Sequence, residues 1–331
     1  MIINKINLIN FRNHTSYSLN CSPDTTLILG ENGWGKTSIL EAIYILTRGK
    51  SFRATDREII KHNKEFYRIS IEYDNGEMVI ATYDGNKKTF HASDKKSTRL
   101  SKNNKYPIIL FLPSDLNLIS HSPGRRRDYF DRIFSEFNDT YATNLSKYHK
   151  ALRQRGELLK NQANKNELFS WNLLLAEYGT KLYKDRKKFI QEINELLTTT
   201  YRSIAENQDE VLIAYKTDVT STQTEEYLKK LEQNFERDSY LGHTTFGIHR
   251  DDYIFRFNNS LANGSASRGE TRSIVLALKF IEANLILKKT GHQPIILLDD
   301  VFSELDETRR RALVKNFKNH QVIITSVEKI D

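Results

Sequence analysis

A glycine-rich segment near the start of the chain constrains its fold more than any other part of the sequence. Residues 30–37 read Gly-Glu-Asn-Gly-Trp-Gly-Lys-Thr, after a compact apolar run at 25–29 and before apolar residues at helical spacing. A strand, a loop of this composition and a helix in that order form a phosphate-binding loop. The glycines let backbone N–H groups close around phosphates, and the start of the helix adds its dipole. The segment therefore predicts an α/β fold that binds a nucleoside triphosphate.

The residues of this loop have separate expected roles. Lys36 is expected to reach the β- and γ-phosphates of ATP, and the Thr37 hydroxyl to ligate Mg²⁺. Trp34 is unusual, because its bulky ring stands where the loop faces outward from the phosphates. We assign nucleotide contact to the loop and the residue that follows it, which are Gly30, Glu31, Asn32, Gly33, Trp34, Gly35, Lys36, Thr37 and Ser38.

A second acidic motif lies near the end of the chain. Residues 295–300 read Ile-Ile-Leu-Leu-Asp-Asp, the pattern of a buried parallel strand that ends in two carboxylates. In a site that hydrolyses nucleotides, one acid holds the metal and the next orients or deprotonates the attacking water. We assign Asp299 to Mg²⁺ and Asp300 to catalysis. A strand ending in two aspartates is often only a solvated turn, and the phosphate-binding loop upstream favours the catalytic interpretation.

The order of strand and helix patterns divides the chain into two kinds of region. Strand patterns surround the phosphate-binding loop at the start, and strands alternate with helices again near the end. Between them, amphipathic stretches at 140–159 and 167–204 contain no proline. We predict an ATPase domain formed by residues 1–115 and 207–331, with an all-helical domain inserted at 116–206.

Turn and loop residues give further local expectations. Asp74-Asn75-Gly76 lies between two alternating runs and predicts a β-hairpin. The lysine-rich residues 87–105 predict a mobile connector, and residues 258–267 predict a polar loop.

A short motif before the last long helix extends the site. Residues 265–270 read Ser-Ala-Ser-Arg-Gly-Glu, and Ser267 could simply cap the helix that follows. A Ser-x-Gly segment at a helix start, ahead of the acidic strand, also resembles the signature motif of ABC ATPases. The resemblance implies that Ser267, Arg268 and Gly269 of one subunit bind the γ-phosphate held by the other, so that two ATP molecules lie between two subunits.

Other segments narrow the resemblance. They are Asn10–Asn13, Glu41–Ala42, Phe111–Leu116, Pro123–Arg127, Gly247–Asp252 and Leu297–Asp306. In this order, and over nearly the whole chain, they resemble the RecF family of SMC-like ABC ATPases. The resemblance implies an ABC-type ATPase head with mixed sheets, a homodimer formed on ATP, and binding to duplex and gapped DNA. It also implies promotion of RecA assembly together with RecR, and with RecO in many bacteria. In the SMC-like family Arg12 reaches the phosphates, and a plain surface arginine is an equal alternative here.

Several residues depart from the family pattern. Glu270 stands where the signature has glutamine, and Trp34 replaces a small residue. The Q-loop glutamine of ABC ATPases is not evident after the strand at 106–112. Ser326 stands where transporter ATPases have the switch histidine. We therefore expect slow ATP hydrolysis.

The charge balance favours an anionic partner. There are 50 Lys and Arg against 42 Asp and Glu, a formal charge of +8, which suits nucleic acid. The one cysteine, Cys21, allows neither a disulfide framework nor a cysteine metal site within a chain. The first residues lack the pattern of a secretory signal, and no run approaches the roughly 20 apolar residues of a membrane span. We therefore expect a cytoplasmic protein without membrane contact.

Charged clusters outside these motifs have two interpretations. The cluster at 249–252, His-Arg-Asp-Asp, invites a metal interpretation, but Zn²⁺ would want a fuller ligand set, so we favour a structural role. Basic residues on the predicted helices form a solvated face by default. In an ATPase of this family they become candidates for contact with DNA phosphates. These candidates are Arg125, Arg126, Arg127, Lys147, Lys150, Arg153, Arg155, Lys181, Lys184, Arg186, Lys187 and Lys188.

Two other functions compete with that of a DNA-repair ATPase. An ATPase subunit of a transporter would share the nucleotide motifs, but the helical insert, the basic charge and the absent glutamine count against it. An ATPase subunit of a defence nuclease would carry an added acidic nuclease domain, and the sequence does not contain one.

Overall fold

The chain divides into two units within a long helix, α9 (Arg268–Thr290). The computed structural model describes residues 1–92, 95–101 and 104–327. The first unit comprises residues 1–116 and the chain from 282 onward, and the second comprises residues 117–281. Segments that are far apart in sequence therefore fold together in the first unit.

The strands of the first unit form two sheets of different kinds. In chain order they are β1 (Ile3–Phe11), β2 (His14–Asn20), β3 (Thr25–Leu29), β4 (Tyr67–Tyr73), β5 (Met78–Tyr83), β6 (Lys88–Ala92), β7 (Lys95–Ser97), β8 (Ile108–Phe111), β12 (Ile295–Asp299) and β13 (Val322–Ser326). An antiparallel sheet has the order β2-β1-β4-β5-β6-β7, and a parallel sheet has the order β3-β13-β12-β8. Strands β12 and β13 are buried along their whole length, as expected for a parallel sheet covered on both faces.

The core of the first unit is shared by both sheets and by α1 (Lys36–Arg48). In β4, Tyr67, Ile69 and Ile71 are buried at alternate positions, which places them on one face of the antiparallel sheet. Helix α1 contacts strands of both sheets, and its residues 38–47 are buried. This packing fixes the start of α1, where the phosphate-binding loop ends. Two short helices complete the unit, α2 (Asp56–Ile59) and α10 (Glu307–Phe317).

Helices dominate the second unit. In chain order they are α3 (Pro123–Phe137), α4 (Asp139–Lys160), α5 (Lys165–Ala205), α6 (Thr224–Gln233), α7 (Phe235–Leu241), α8 (Ala262–Ser265) and the first part of α9. A small antiparallel sheet has the order β11 (Ser260–Leu261), β10 (Asp252–Phe257) and β9 (Val211–Lys216). Helix α5 packs along β9, where Asn194 donates a hydrogen bond to the Ile213 carbonyl. Across the described residues, no helix has the length and apolarity needed to span a bilayer.

The predicted fold class is confirmed. The first unit is an α/β structure with mixed sheets around a phosphate-binding loop, and the insert at 116–206 folds into α3, α4 and α5. The two compact units divide the chain at 281/282, whereas the second domain boundary was expected at 206/207. Residues 207–281 lie in the second unit because β9 packs on α5 and β10 on α3. Their membership of an ATPase domain stays a prediction.

Two expectations of irregular structure are wrong. Within the expected connector, residues 88–92 and 95–97 form β6 and β7, because Phe90 is buried and β6 pairs with β5. Residues 260–265 of the expected polar loop form β11 and α8. The rest of the connector includes residues 93, 94, 102 and 103, which lie outside the described residues.

Candidate nucleotide-binding site

The phosphate-binding loop joins the end of β3 to the first residue of α1. Gly33 and Gly35 have φ values of +84° and +104°, which residues with a side chain rarely adopt. A Cβ atom at Gly35 would also lie 2.6 Å from Nε2 of His14. The backbone path of the loop therefore requires both glycines.

A cavity of about 570 Å³ opens at this loop in the first unit. Gly30 and Trp34, which were predicted to contact the nucleotide, are not among the residues that line it. The lining residues are Arg12, Asn13, Glu31, Asn32, Gly33, Gly35, Lys36, Thr37, Ser38, Arg53, Ala54, Glu58, Asp299 and Asp300. The structure thus brings the predicted loop and the predicted acidic strand to one cavity.

Lys36 places a positive charge in the wall of the cavity. The residue is only 7% exposed, and its ammonium donates to the Gly30 carbonyl and, at 3.0 Å, to the Glu31 carbonyl. Both acceptors are neutral, so the charge is left for an anionic ligand. Lys36 therefore suits the binding of a polyphosphate.

Thr37 and Asp299 meet across the cavity floor. The Thr37 hydroxyl lies 2.8 Å from Oδ1 and 3.0 Å from Oδ2 of Asp299. The Thr325 hydroxyl donates to Oδ1 of Asp299 at 2.9 Å, which orients the carboxylate. A hydroxyl and a carboxylate beside a phosphate site are the oxygen ligands that Mg²⁺ takes in nucleotide-binding proteins. These residues therefore fit the metal that they were predicted to hold.

Asp300 has the features of a proton acceptor. Its φ is +50°, and its backbone N–H bonds to Thr325. Burial raises the pKa of Asp300, and the charge of Lys36 opposes this rise while that of Asp299 adds to it. Within the described residues, its buried Oδ1 has no hydrogen-bond partner. This oxygen is left to accept a hydrogen bond or a proton from a ligand.

A buried carboxylate behind the cavity joins two arginines. Glu41 is fully buried in α1 and accepts hydrogen bonds from Arg12 at 2.8 and 2.9 Å and from Arg53 at 2.9 and 3.1 Å. Burial alone would raise the pKa of Glu41, but the hydrogen bonds from Arg12, Arg53 and Ser51 outweigh it and lower the pKa. Arg12 therefore lies at the cavity, with its guanidinium held by Glu41.

Arg53 and Asn13 are cavity residues that the sequence analysis missed. Arg53 shares Glu41, and Asn13 donates to the Gly33 carbonyl at 2.8 Å, which steadies the loop. Glu41 is the one sequence signal for such a residue, because a carboxylate between apolar residues of a buried helix requires cationic partners. Nothing local in the sequence identifies Arg53 as one of them.

Trp34 faces outward from the loop. Its indole is 44% exposed and packs at about right angles to His14 and Tyr17, with ring centroids 5.5 Å apart in both pairs. The indole also lies over Gly30, where a Cβ atom would come within 3.3 Å of it. Trp34 is therefore a fixed, exposed aromatic surface.

The Ser-x-Gly motif lies in the second unit and begins α9. Ser267 Oγ accepts a hydrogen bond from the Glu270 backbone N–H at 3.3 Å, and the Glu270 carboxylate accepts one from the Ser267 backbone N–H at 2.6 Å. This reciprocal pair is a capping box. Glu270 thus has a local role, and Ser267 and Arg268 stay exposed.

Some of the predicted DNA-contacting residues are internal. Arg155 and Arg186 are 0% and 1% exposed, so their assignment to a DNA-contacting surface is wrong. Arg126 pairs with Asp252 at 2.7 Å, and Arg127 donates to the Asp251 carbonyl. The candidates that remain exposed on α4 and α5 are Lys147, Lys150, Arg153, Lys181, Lys184, Lys187 and Lys188.

The cluster at 249–252 has a structural role. His249 bonds to the Tyr148 hydroxyl at 2.8 Å and to the Thr244 carbonyl at 3.0 Å, and Asp251 pairs with Arg186 at 2.8 Å. Burial lowers the pKa of His249 to about 4, so its ring is neutral near pH 7. Within the described parts of the chain, no group of three or more metal-binding side chains is present.

Comparison with known proteins identifies the family. The AAA ATPase domain model matches residues 1–319. The DNA replication and repair protein RecF of Clostridium perfringens is 34% identical over 338 residues, which cover 98% of this chain and 92% of that protein. RecF of Lachnoclostridium phytofermentans is 35% identical over 337 residues, with the same coverage.

Solved structures agree with this result. The recombination mediator protein RecF-ATP of the RecFOR pathway has a TM-score of 0.88 and 27% identity, and the match covers 100% of this chain and 93% of that one. An Smc head bound to the C-terminal winged-helix domain of ScpA has a TM-score of 0.55 at 14% identity, over 99% of this chain and 90% of that one, which shows the fold alone. The ABC-type head and the ATPase activity predicted from sequence are thus confirmed. The chain belongs to the RecF family of DNA replication and repair proteins, within the AAA ATPase domain family.

Proposed function

We propose that this chain binds ATP and Mg²⁺ in the loop cavity, dimerises in that state, and then holds DNA as a recombination mediator. At gapped DNA it would promote RecA assembly together with RecR and RecO. The observation that carries the proposal is the contact of Thr37 with Asp299, which joins the loop to the acidic strand at one cavity. RecF with ATP in the RecFOR pathway, a solved relative, supports the same assignment.

The nucleotide chemistry follows from the cavity residues. Lys36 binds phosphate oxygens, and Thr37 with Asp299 would hold Mg²⁺, which neutralises phosphate charge when bound. Asp300 orients the attacking water and accepts its proton at the free Oδ1. We expect slow turnover, since the site departs from the family pattern at Trp34 and Glu270.

Two copies are needed to complete the site. Ser267 and Gly269 of a second copy would contact the γ-phosphate, with Ser267 exposed for that purpose. Because residues of two chains would hold each nucleotide, ATP stabilises the dimer. Hydrolysis of ATP then lets the two copies dissociate.

The exposed basic residues of α4 and α5 are the candidate DNA surface. The ammonium nitrogens of Lys147 in α4 and Lys181 in α5 lie 5.2 and 5.5 Å from the centre of the same Tyr178 ring. The two helices therefore present one continuous face. Such a face suits the DNA backbone, where each neutralised phosphate releases counterions. The two alternative functions, transporter subunit and defence nuclease subunit, are not favoured by the RecF relatives.

DNA binding with and without ATP tests the proposal. Fluorescence anisotropy of labelled gapped and duplex DNA is expected to show tighter binding with ATP than with ADP, and Lys36→Ala should remove the difference. Equal affinity in ATP, ADP and no nucleotide would contradict the proposal.

The salt dependence of DNA binding tests the proposed surface separately. Lys147→Ala with Lys150→Ala should lower the slope of log affinity against log salt by roughly 0.9 for each phosphate that the variant no longer neutralises. Lys229→Ala with Lys230→Ala, an equal loss of exposed charge on α6, serves as the control. Equal slopes in the two variants would place the DNA elsewhere.

A further inference from the structure

We infer that Glu31 and Trp34 form a receptor for Arg268 of a second copy of this chain. The inference rests on the proposed ATP-dependent dimer and names a contact that holds it together. Trp34, the unusual residue of the phosphate-binding loop, does not line the cavity, and this contact would give it a function.

The receptor consists of a carboxylate beside an aromatic ring. The Trp34 backbone N–H donates to the Glu31 carbonyl at 3.3 Å, so the two residues end one tight turn. Both side chains are exposed. Among the described residues, the Glu31 carboxylate has no hydrogen-bond or ion-pair partner.

The ring is held in place before any partner arrives. His14 and Tyr17 pack their rings at 77° and 83° to the indole, and Gly30 leaves room beneath it. A rigid aromatic surface loses little conformational entropy on binding, and for this reason tryptophan is frequent at the energetic centres of interfaces.

Arg268 is suited to this receptor and poorly explained by its own helix. It is exposed and is the first residue of α9, where a positive charge opposes the helix dipole. The capping is already provided by Ser267 and Glu270. The Arg268 carbonyl accepts a hydrogen bond from the Thr271 hydroxyl, and within the described residues the guanidinium has no hydrogen-bond or ion-pair partner.

The chemistry of the three groups is complementary. A guanidinium stacks on an aromatic face and at the same time bonds to a carboxylate, which a lysine ammonium does less well. The exposed Arg268 of one copy and the exposed pair Glu31 and Trp34 of the other thus form a specific contact, repeated twice in a symmetric dimer.

Mixing two variants tests whether the contact lies between copies. Each contact is worth roughly ten-fold in dimer affinity. In a homodimer of Trp34→Ala, or of Arg268→Ala, both contacts are lost, so each variant should dimerise roughly 100-fold more weakly. Sedimentation with a non-hydrolysable ATP analogue measures the affinity. An equimolar mixture keeps one intact contact per mixed dimer and should recover roughly ten-fold. Trp34→Phe should retain most of the affinity, and Arg268→Lys should lose it.

The outcomes separate this inference from the proposed function. If the unaltered chain dimerises with nucleotide but the mixture binds no better than either variant, the contact is wrong and the dimer stands. An Arg268→Ala effect of unchanged size in the Trp34→Ala background would instead assign Arg268 to the phosphates. Absence of any nucleotide-dependent dimer of the unaltered chain would overturn both. The circular dichroism spectrum and urea midpoint of each variant, which should be unchanged, show that the variants fold.

Discussion

Arginine–carboxylate clusters in the two units have opposite charge balances. In the second unit, Arg186 is 1% exposed and pairs with two carboxylates, Asp131 and Asp251, at 2.8 Å each. In the first unit, one carboxylate, Glu41, is shared by Arg12 and Arg53. Counted formally, the cluster around Arg186 has an excess negative charge and the cluster around Glu41 an excess positive charge.

The difference separates structural charges from binding charges. Arg186 also donates to the Ile248 carbonyl and contacts the Tyr141 hydroxyl, so its bonding capacity is used within the unit. The Arg53 side chain is 38% exposed and lines the same cavity as Lys36. At the open cavity the guanidiniums of Arg12 and Arg53 can donate to a polyphosphate, whereas a buried paired charge fixes the packing of helices.

The largest expected effect concerns the buried cluster. Arg186→Ala leaves Asp131 and Asp251 without their cation and should lower the free energy of unfolding by about 3–5 kcal/mol. Urea denaturation measures the change, and Lys188→Ala on the exposed face of α5 is the control. A decrease no larger than that of the control would show that this cluster does not stabilise the second unit.

The next effect concerns the cavity. Lys36→Ala removes a buried ammonium with neutral partners and should weaken ATP binding roughly 100-fold or more, because its charge-assisted bonds to phosphate can no longer form. Calorimetry measures the affinity, and Lys50→Ala, at an exposed position just after α1, should bind as the unaltered chain does. Retained affinity in Lys36→Ala would move the nucleotide out of the loop.

The pH dependence of stability tests the second unit again. The pKa of His249 is lowered to about 4, below its ordinary 6.5. The buried neutral ring therefore contributes to the free energy of unfolding fully above pH 6.5, and about 3 kcal/mol of this contribution is lost as the pH falls towards 4. His249→Asn should remove this step in denaturation curves, and the exposed His62→Asn should keep it. An unchanged step in His249→Asn would assign it to another group.

Arg53 gives the smallest effect and the sharpest contrast with Arg186. Arg53→Ala should weaken ATP binding roughly ten-fold, since one guanidinium at the cavity is removed, while the free energy of unfolding changes little. Arg57→Ala, a nearby exposed arginine, should change neither quantity. Destabilisation comparable to that of Arg186→Ala would remove the distinction between the two clusters.

The parts of the site that the sequence predicts are those whose residues are neighbours in the chain. The loop at 30–37 and the acidic strand at 295–300 are determined by local backbone geometry and by phosphate chemistry, and the structure brings both to one cavity. Arg53 was missed because its role comes from Glu41, which it meets only in the folded unit. The sequence predicts a connector over residues 87–105 and does not reveal β6 within it, because the burial of Phe90 depends on pairing with β5.

The burial of Arg186 has a signal in the sequence of α5. Arg186 lies three or four residues from Leu182, Tyr183, Phe189 and Ile190, all buried on one face of α5. An arginine within an apolar stripe is an internal cation with carboxylate partners. Its partner Asp251 lies 65 residues away in sequence, and only the folded unit shows that they meet.

The mass of the protein in solution with nucleotide tests the central claim most directly, that two copies of the chain complete the ATP site. Asp300→Asn keeps Asp299 for the metal and removes the proposed proton acceptor, so with ATP and Mg²⁺ it should sediment as a stable dimer and with ADP as a monomer. Ser267→Arg should bind ATP and stay monomeric. Saturated ATP binding by Asp300→Asn without any increase in mass would contradict the account.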